Sequence, residues 1–196
     1  GDVRPLGAAL EQLLHPAALA DVDTAYYLVH SMASGREFAR HDREAAANFA
    51  AAAERAGVRR IIYLGGLVPD DAQTEHIQSR RDTGEILRGG KVPVIELRAG
   101  IIVGPGSAAF EVMRDLIYNL PVMITPRWAK SKSPPIALEN ILEYLLRLPH
   151  TEAAVGGIFE AAGPEYLSYR QMMRIMAEVA KRPPSSCTIG LSSGGI

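Results

Sequence analysis

Arg59-Arg60-Ile61-Ile62-Tyr63-Leu64-Gly65-Gly66-Leu67 decides how the chain folds. An isoleucine-rich apolar run of this kind reads as a strand buried on both faces, as in a parallel sheet. Ala56-Gly57 just before it is a helix stop, so a helix leads into the strand. Two glycines end the run, and a Pro69-Asp70 loop follows. A strand ending in glycine lets backbone approach a ligand closely. Ligands of open α/β sheets sit beyond the carboxyl ends of the strands. Tyr26 to Met32 and Leu97 to Gly106 also end apolar runs in small or polar residues. Three strand ends facing one cleft is one reading; three buried strands with ordinary turns is the other.

Working outward, Glu37 to Ala56 is alanine-rich and predicts a long helix, with a stripe through Phe38, Ala45, Phe49 and Ala52. Thr24 to His30 predicts a strand, and Leu6 to Leu14 a helix with Pro5 in its first turn. Downstream, Val68 to Thr74 is a loop, and Glu75 to Arg88 is a helix stopped by Gly89-Gly90. Val92 to Val103 is expected to be one buried strand, with Pro93 tolerable near its start. Gly104-Pro105-Gly106 is a sharp turn, and Ser107 caps a helix to about Asn119. The prolines between Leu120 and Pro135 predict irregular chain. Ala137 to Leu148 is helical and Gly157 to Ala161 a strand. Ser168 caps a last helix to about Lys181. The tail, 182–196, is expected to be poorly ordered. Strands alternating with helices make the fold class α/β with a largely parallel sheet.

Bulk composition narrows the function. The length of 196 residues suits one domain, and 47% apolar residues suffice for a sizeable core. Lys plus Arg, 21, nearly balance Asp plus Glu, 22, which argues against a general nucleic-acid binder. The single cysteine, Cys187, excludes an internal disulfide. No apolar run reaches the roughly 20 residues that span a bilayer, and no signal-like segment opens the chain; a cytoplasmic protein without membrane contact is the expectation. The first residue is glycine, so a processed, trimmed or fragmentary chain is expected.

Five motifs in order resemble the short-chain dehydrogenase/reductase superfamily, in its extended or atypical branch of NmrA-like and epimerase-like NAD(P)-binding proteins. Gly1-Asp2-Val3 resembles the G-D-[VL] after that family's third strand, beside the adenine. Thr24 to Met32 resembles its fourth strand, under the cofactor. Ala56 to Gly66 resembles A-G-V-[KR]-R-[FI]-[VI]-Y-x-S-S of the fifth. Leu97 to Gly106 resembles the L-R-P turn after the sixth. Ala162-Gly-Pro-Glu165 with Leu167-Ser-Tyr169 resembles a G-G-P-E motif that opens a late helix. The resemblance covers most of residues 1 to 181 and implies a Rossmann-like, doubly wound fold, present as its C-terminal part, with a substrate-side segment at about 104–136. It implies NAD or NADP as cofactor, with a slight preference for NADP, an unidentified small-molecule substrate and a homodimer as one assembly.

Two departures matter. The glycine fingerprint that cradles pyrophosphate in this superfamily is absent, so the first two strand-helix units are expected to be missing; otherwise the fourth strand would be an apolar edge in need of a partner. The family's Y-x-x-x-K pair is also replaced. His76 falls at the tyrosine position, Ser79 before the lysine position and Arg80 on it, and Gly65-Gly66 stand where supporting serines would be. His76 could exchange protons near neutral pH, and Arg80 could hold ribose hydroxyls or phosphate. A surface histidine and a solvated arginine are the alternative. The implied catalytic set is His76, Ser79 and Arg80. The implied cofactor set is Asp2, Val3, Leu28, Val29, His30, Leu64, Gly65, Gly66, Arg80, Ala99, Gly100 and Ile101. The implied function is an oxidoreductase or epimerase-like enzyme, or else a non-catalytic NAD(P)H sensor.

Among other residues, Asp42 reads as a solvated charge. Arg98, ending a buried strand, must either be paired or reach the cleft. Arg127-Trp128 lies on the substrate side, as a clamp or as packing. Met172, Met173 and Met176 fall at helical spacing and read as core. His15, His41 and His150 are scattered, and no cluster has metal-ligand spacing.

Overall fold

The computed structural model describes residues 19–29, 36–67, 75–119 and 131–181, with the backbone course alone for 36–38 and 75–77. The expected first helix, Ser31 to Gly35, Val68 to Thr74, Arg127-Trp128 and the tail lie outside these residues, as do Asp2, Val3 and His30. In order the elements are β1 (Thr24–Tyr27), α1 (Arg36–Ala56), β2 (Arg60–Gly66), α2 (Glu75–Arg88), β3 (Val94–Ala99), β4 (Ile101–Val103), α3 (Ala108–Asn119), β5 (Lys132–Ser133), β6 (Pro135–Ala137), α4 (Leu138–Arg147), two 3-10 turns (Leu148–His150 and Glu152–Ala154), β7 (Ile158–Ala161), β8 (Leu167–Ser168) and α5 (Tyr169–Val179). They form two compact units: residues 1–99 with 143–161, and residues 100–142 with 162–196.

The first unit holds a four-stranded sheet of order β1-β2-β3-β7, every pair parallel. All four strands therefore end at one edge, at Tyr27, Gly66, Ala99 and Ala161. The alanine face of α1 allows close packing: Ala46 and Ala53 are fully buried with Tyr27, Ile61, Tyr63, Leu87 and Val94. Phe49 meets the Tyr27 ring edge-on at 5.0 Å, a favourable aromatic arrangement. Ile62 and Ile95, pointing the other way from β2 and β3, are also fully buried. That two-sided burial explains why both strands read as unbroken apolar runs. Below the sheet, Arg60 donates to the Pro149 carbonyl at 2.9 Å and to Glu152 at 2.5 Å. The bond from Arg60 to Glu152, ahead of charge attraction, holds the Glu152 carboxyl below its usual range.

Two expected strands need correction. β1 ends at Tyr27, because Leu28 and Val29 leave the ladder with β2 and are exposed. The single strand expected over 92–103 is two: β3 pairs with β2 and β7, whereas β4 pairs with β6 in the second unit. The break falls at Gly100, where any Cβ would collide with the Pro134 carbonyl.

The second unit packs α3 and α5 over Met113, Met172 and Met173, with Ile101, Val103, Leu116 and Met176 around them; the methionines are core, as their spacing predicts. β5 pairs antiparallel with β8. Two short strands thus occupy the stretch expected to be irregular, and Pro135 is accommodated as the first residue of its strand. The expected caps form. Ser107 Oγ accepts from Phe110 N at 3.4 Å. Ser168 and Gln171 make a reciprocal capping box at the head of α5. Ser168→Ala is expected to cost about 1 kcal/mol, seen as an earlier urea midpoint with an unchanged slope.

Candidate functional site

The carboxyl edge of the four-stranded sheet brings together the ends of β2 and β3 and side chains from α2. Gly65 and Gly66 make room there. A Cβ on Gly65 would stand 3.2 Å from Tyr63 Cε1, and one on Gly66 would stand 2.8 Å from Arg80 Nη1. The Arg80 side chain therefore reaches from α2 across the last residue of β2, into space that a side chain would fill. Among the described residues no carboxylate pairs with its guanidinium; only its backbone carbonyl is engaged, accepting from Tyr63 Oη at 3.1 Å.

Ser79, one residue earlier, turns the other way. It is buried, and its hydroxyl donates to Asp42 of α1 at 2.9 Å. Thr83 in turn donates to the Ser79 carbonyl at 2.8 Å. Asp42, read from the sequence as a solvated charge, is half-buried, and by accepting the Ser79 hydroxyl it ties α2 to α1 next to Arg80. The backbone of His76 lies in the first turn of α2, and its side chain is outside the described set. Leu64 is partly buried, and Ala99 closes β3 in register with Gly66. Gly100 and Ile101 fall in the second unit, where Ile101 packs on the methionine core. Leu28 and Val29 lie just past the end of β1.

Beneath the glycines lies a charged cluster. Glu96, on β3, is 2% exposed. Its carboxylate takes Arg98 Nε at 2.8 Å on one oxygen and Arg88 Nη1 on the other. Arg98 is therefore paired rather than free. Burial, and then the charge of Arg98, pull the Arg88 guanidinium below its ordinary value. Gly84 of α2 admits the carboxylate, since a Cβ there would stand 2.9 Å from Glu96 Oε2. Sequence reasoning passed over Glu96 and Arg88. The signal was a lone acid inside Val94-Ile95-Glu96-Leu97 with an arginine two residues on, hence on the same face.

The phenols at this end are not poised for proton transfer near neutrality. Burial pushes Tyr63 from 10.0 up to about 12, with the nearby Arg80 charge opposing it and Asp42 adding to it. Burial, then Asp42 and Tyr63, push Tyr27 up further still. A folded-state value above the unfolded one means that the folded chain holds the proton more tightly. The Tyr63 contribution to stability is therefore complete below pH 10.0 and is lost as pH rises toward about 12. Urea unfolding is expected to show stability falling as pH rises from about 10 toward about 12, with a smaller fall in Tyr63→Phe.

Among the described residues no group of three His, Cys, Asp or Glu side chains could hold a metal ion, and no helix is long and apolar enough to cross a membrane.

No protein-family model matches the sequence, and no curated protein does. Solved structures do match. The epimerase Mth375 from Methanothermobacter thermautotrophicus superimposes with a TM-score of 0.72 at 13% identity, over 90% of this chain and 61% of its own. MoeE5 in complex with UDP-glucuronic acid and NAD gives 0.74 at 16% identity, over 89% and 68%. The Citrobacter sp. triphenylmethane reductase complexed with NADP(H) gives 0.68 at 16% identity, over 88% and 57%. This chain thus spans roughly three fifths to two thirds of the length of these proteins. At such identities the likeness speaks to the fold: a four-stranded parallel sheet flanked by helices, the α/β class read from the alternation of strands and helices and the Rossmann-like form that the family resemblance implies.

Proposed function

We propose that this chain binds a nicotinamide dinucleotide at the carboxyl edge of its parallel sheet, as an oxidoreductase or epimerase-like protein of the atypical short-chain dehydrogenase/reductase type. The observation behind this reading is the Arg80 guanidinium lying across Gly66, cationic and without an ion-pair partner among the described residues. Phosphate or ribose oxygens are the natural partners of such a fork. The fit is one of space and charge: two glycines keep the strand end open, and one arginine supplies donors. The complexes of MoeE5 with NAD and of the triphenylmethane reductase with NADP(H) support the same class of cofactor. Either NAD or NADP fits this reading, with NADP slightly preferred.

When bound, the dinucleotide supplies or accepts a hydride. His76 is this chain's candidate to exchange the accompanying proton with the substrate oxygen, and Arg80 is its candidate to hold the cofactor in place. A second reading, a dinucleotide sensor without catalysis, is favoured by the Ser79 hydroxyl being committed to Asp42 and by the Tyr63 phenol staying protonated far above neutrality.

Calorimetric titration of NADPH and NADH into the chain tests the first reading, and saturable binding of either is the expected result. Binding with no turnover of any carbonyl substrate favours the sensor. Dinucleotide-dependent reduction that is lost in His76→Ala, with binding retained, favours the enzyme. Absence of binding for both dinucleotides defeats the proposal.

A further inference from the structure

We propose that Arg80 is held over Gly66 by a clamp of two positioning residues, Tyr63 on β2 and Asp42 on α1. The inference rests on reading Arg80 as a cofactor contact, and it says what sets the place of that contact.

The two holds come from different elements and act on consecutive residues of α2. Tyr63 Oη donates to the carbonyl of Arg80 itself at 3.1 Å. Asp42 accepts from the Ser79 hydroxyl at 2.9 Å. Tyr63 is 2% exposed and Ser79 is buried, so neither bond is readily exchanged for one to water. Arg43 and Asp82 also bridge the two helices, at 3.2 Å, but on an exposed face, where an ion pair adds little.

Ser79 and Arg80 leave the helix about 100° apart, one towards α1 and the other across Gly66. The roll of α2 about its own axis therefore decides where the guanidinium falls. A roll of about 10° moves a tip at the helix surface, about 6 Å from the axis, by about 1 Å. Binding groups need placement to within about 0.5 Å, and hydrogen bonds behind them supply it. Leu87 anchors α2 in the apolar core about two turns further on, but apolar contact carries no direction. The bonds from Tyr63 and to Asp42 carry it. Asp42 has a cost as well. Its charge and that of Arg80 both act on the Tyr63 phenol, so it stands near the arginine and repels an anion bound there. What it offers in return is the acceptor for Ser79.

The test uses the whole chain and two readouts. The first needs no dinucleotide: the amide signal of Gly66 in magnetic resonance spectra of the isotope-labelled protein, with Arg80→Ala showing how it looks once the guanidinium is gone. The signal should move towards that position in Asp42→Ala and Ser79→Ala and stay at the parent position in Asp42→Asn, which keeps an acceptor oxygen. The second is calorimetric titration of NADPH. Tyr63→Phe, Asp42→Ala and Ser79→Ala should each raise Kd about threefold to tenfold, and Asp42→Asn should bind at least as tightly as the parent. In an Arg80→Ala background the same three substitutions should have no further effect, because they act through the guanidinium. The proposal is overturned if the Gly66 signal stays in both alanine variants. It is overturned if Tyr63→Phe and Asp42→Ala bind like the parent while Arg80→Ala does not, or if their effects persist in the Arg80→Ala background, which marks a general loosening of the helices. It is also overturned if Asp42→Ala tightens binding as much as Asp42→Asn, since the carboxylate then acts by charge alone. NADPH binding that is absent from the parent, or unchanged in Arg80→Ala, counts against the cofactor reading alone, and the Gly66 signal still decides the clamp.

Discussion

Glu96→Ala is expected to lower the unfolding free energy by about 3 kcal/mol. The wild-type carboxylate is 3% exposed and faces Arg88 on one side and Arg98 on the other. Its removal leaves two cations without their counter-charge beside a buried strand. Breaking buried ion pairs in this way costs about 3–5 kcal/mol. The guanidinium side chains are 25% and 24% exposed, so water reaches them, which places the cost at the lower end of that range. Glu96→Leu combined with Arg88→Met and Arg98→Met should recover most of the loss, because a well-packed apolar trio replaces three charges. Gly84→Ala separates helix propensity from packing. Propensity alone favours alanine by about 1 kcal/mol, yet the added Cβ meets both oxygens of the carboxylate, at 2.9 and 3.0 Å, so a net destabilisation is expected. Urea unfolding of the three variants decides the matter. A loss below about 1 kcal/mol for Glu96→Ala would mean that the arginines rehydrate freely and that the carboxylate does not organise the cluster.

Arg80→Ala is expected to weaken NADPH binding by about tenfold to a hundredfold, the range set by losing hydrogen bonds from a charged donor. The melting temperature should barely move, because no ion pair of the folded chain is lost among the described residues. That combination separates a ligand contact from a structural one. Arg80→Lys should recover only part of the affinity, since a lysine keeps the charge but not the planar fork. If Arg80→Ala binds NADPH as the parent does, the guanidinium does not touch the cofactor and the placement of the dinucleotide at Gly66 fails.

How much of this was legible beforehand depended on which interactions were local. The run Arg60 to Gly66 identified its own strand, because burial on both faces leaves no polar alternation to mislead. α1, α2 and α5 were legible from alanine content, glycine stops and the Ser168 cap, all of which act within one or two turns. The split at Gly100 was not. It depends on the Pro134 carbonyl, more than thirty positions away, occupying the place of a side chain, and an apolar run reads alike whether it serves one ladder or two. The role of Asp42 was hidden for the same reason. Its partner Ser79 lies on another helix, and a carboxylate on a charged helix looks solvated until the neighbour is known. Arg80 was singled out through a family resemblance, and its side chain lies against Gly66. Ser79 was chosen on the same grounds, and its hydroxyl proves to be held by Asp42 instead.

The sheet of the first unit has a consequence for the order of folding. Its strands β1, β2 and β3 come from one continuous stretch, but β7 arrives only after the segment 100–142 has been threaded into the second unit. Arg98 and Glu160 are ladder neighbours about sixty residues apart, a loop whose closure must precede any reward from the pairing. During synthesis β3 therefore waits with an open side until β7 has emerged, some sixty residues later. Chaperone dependence and losses to aggregation should concentrate in that interval.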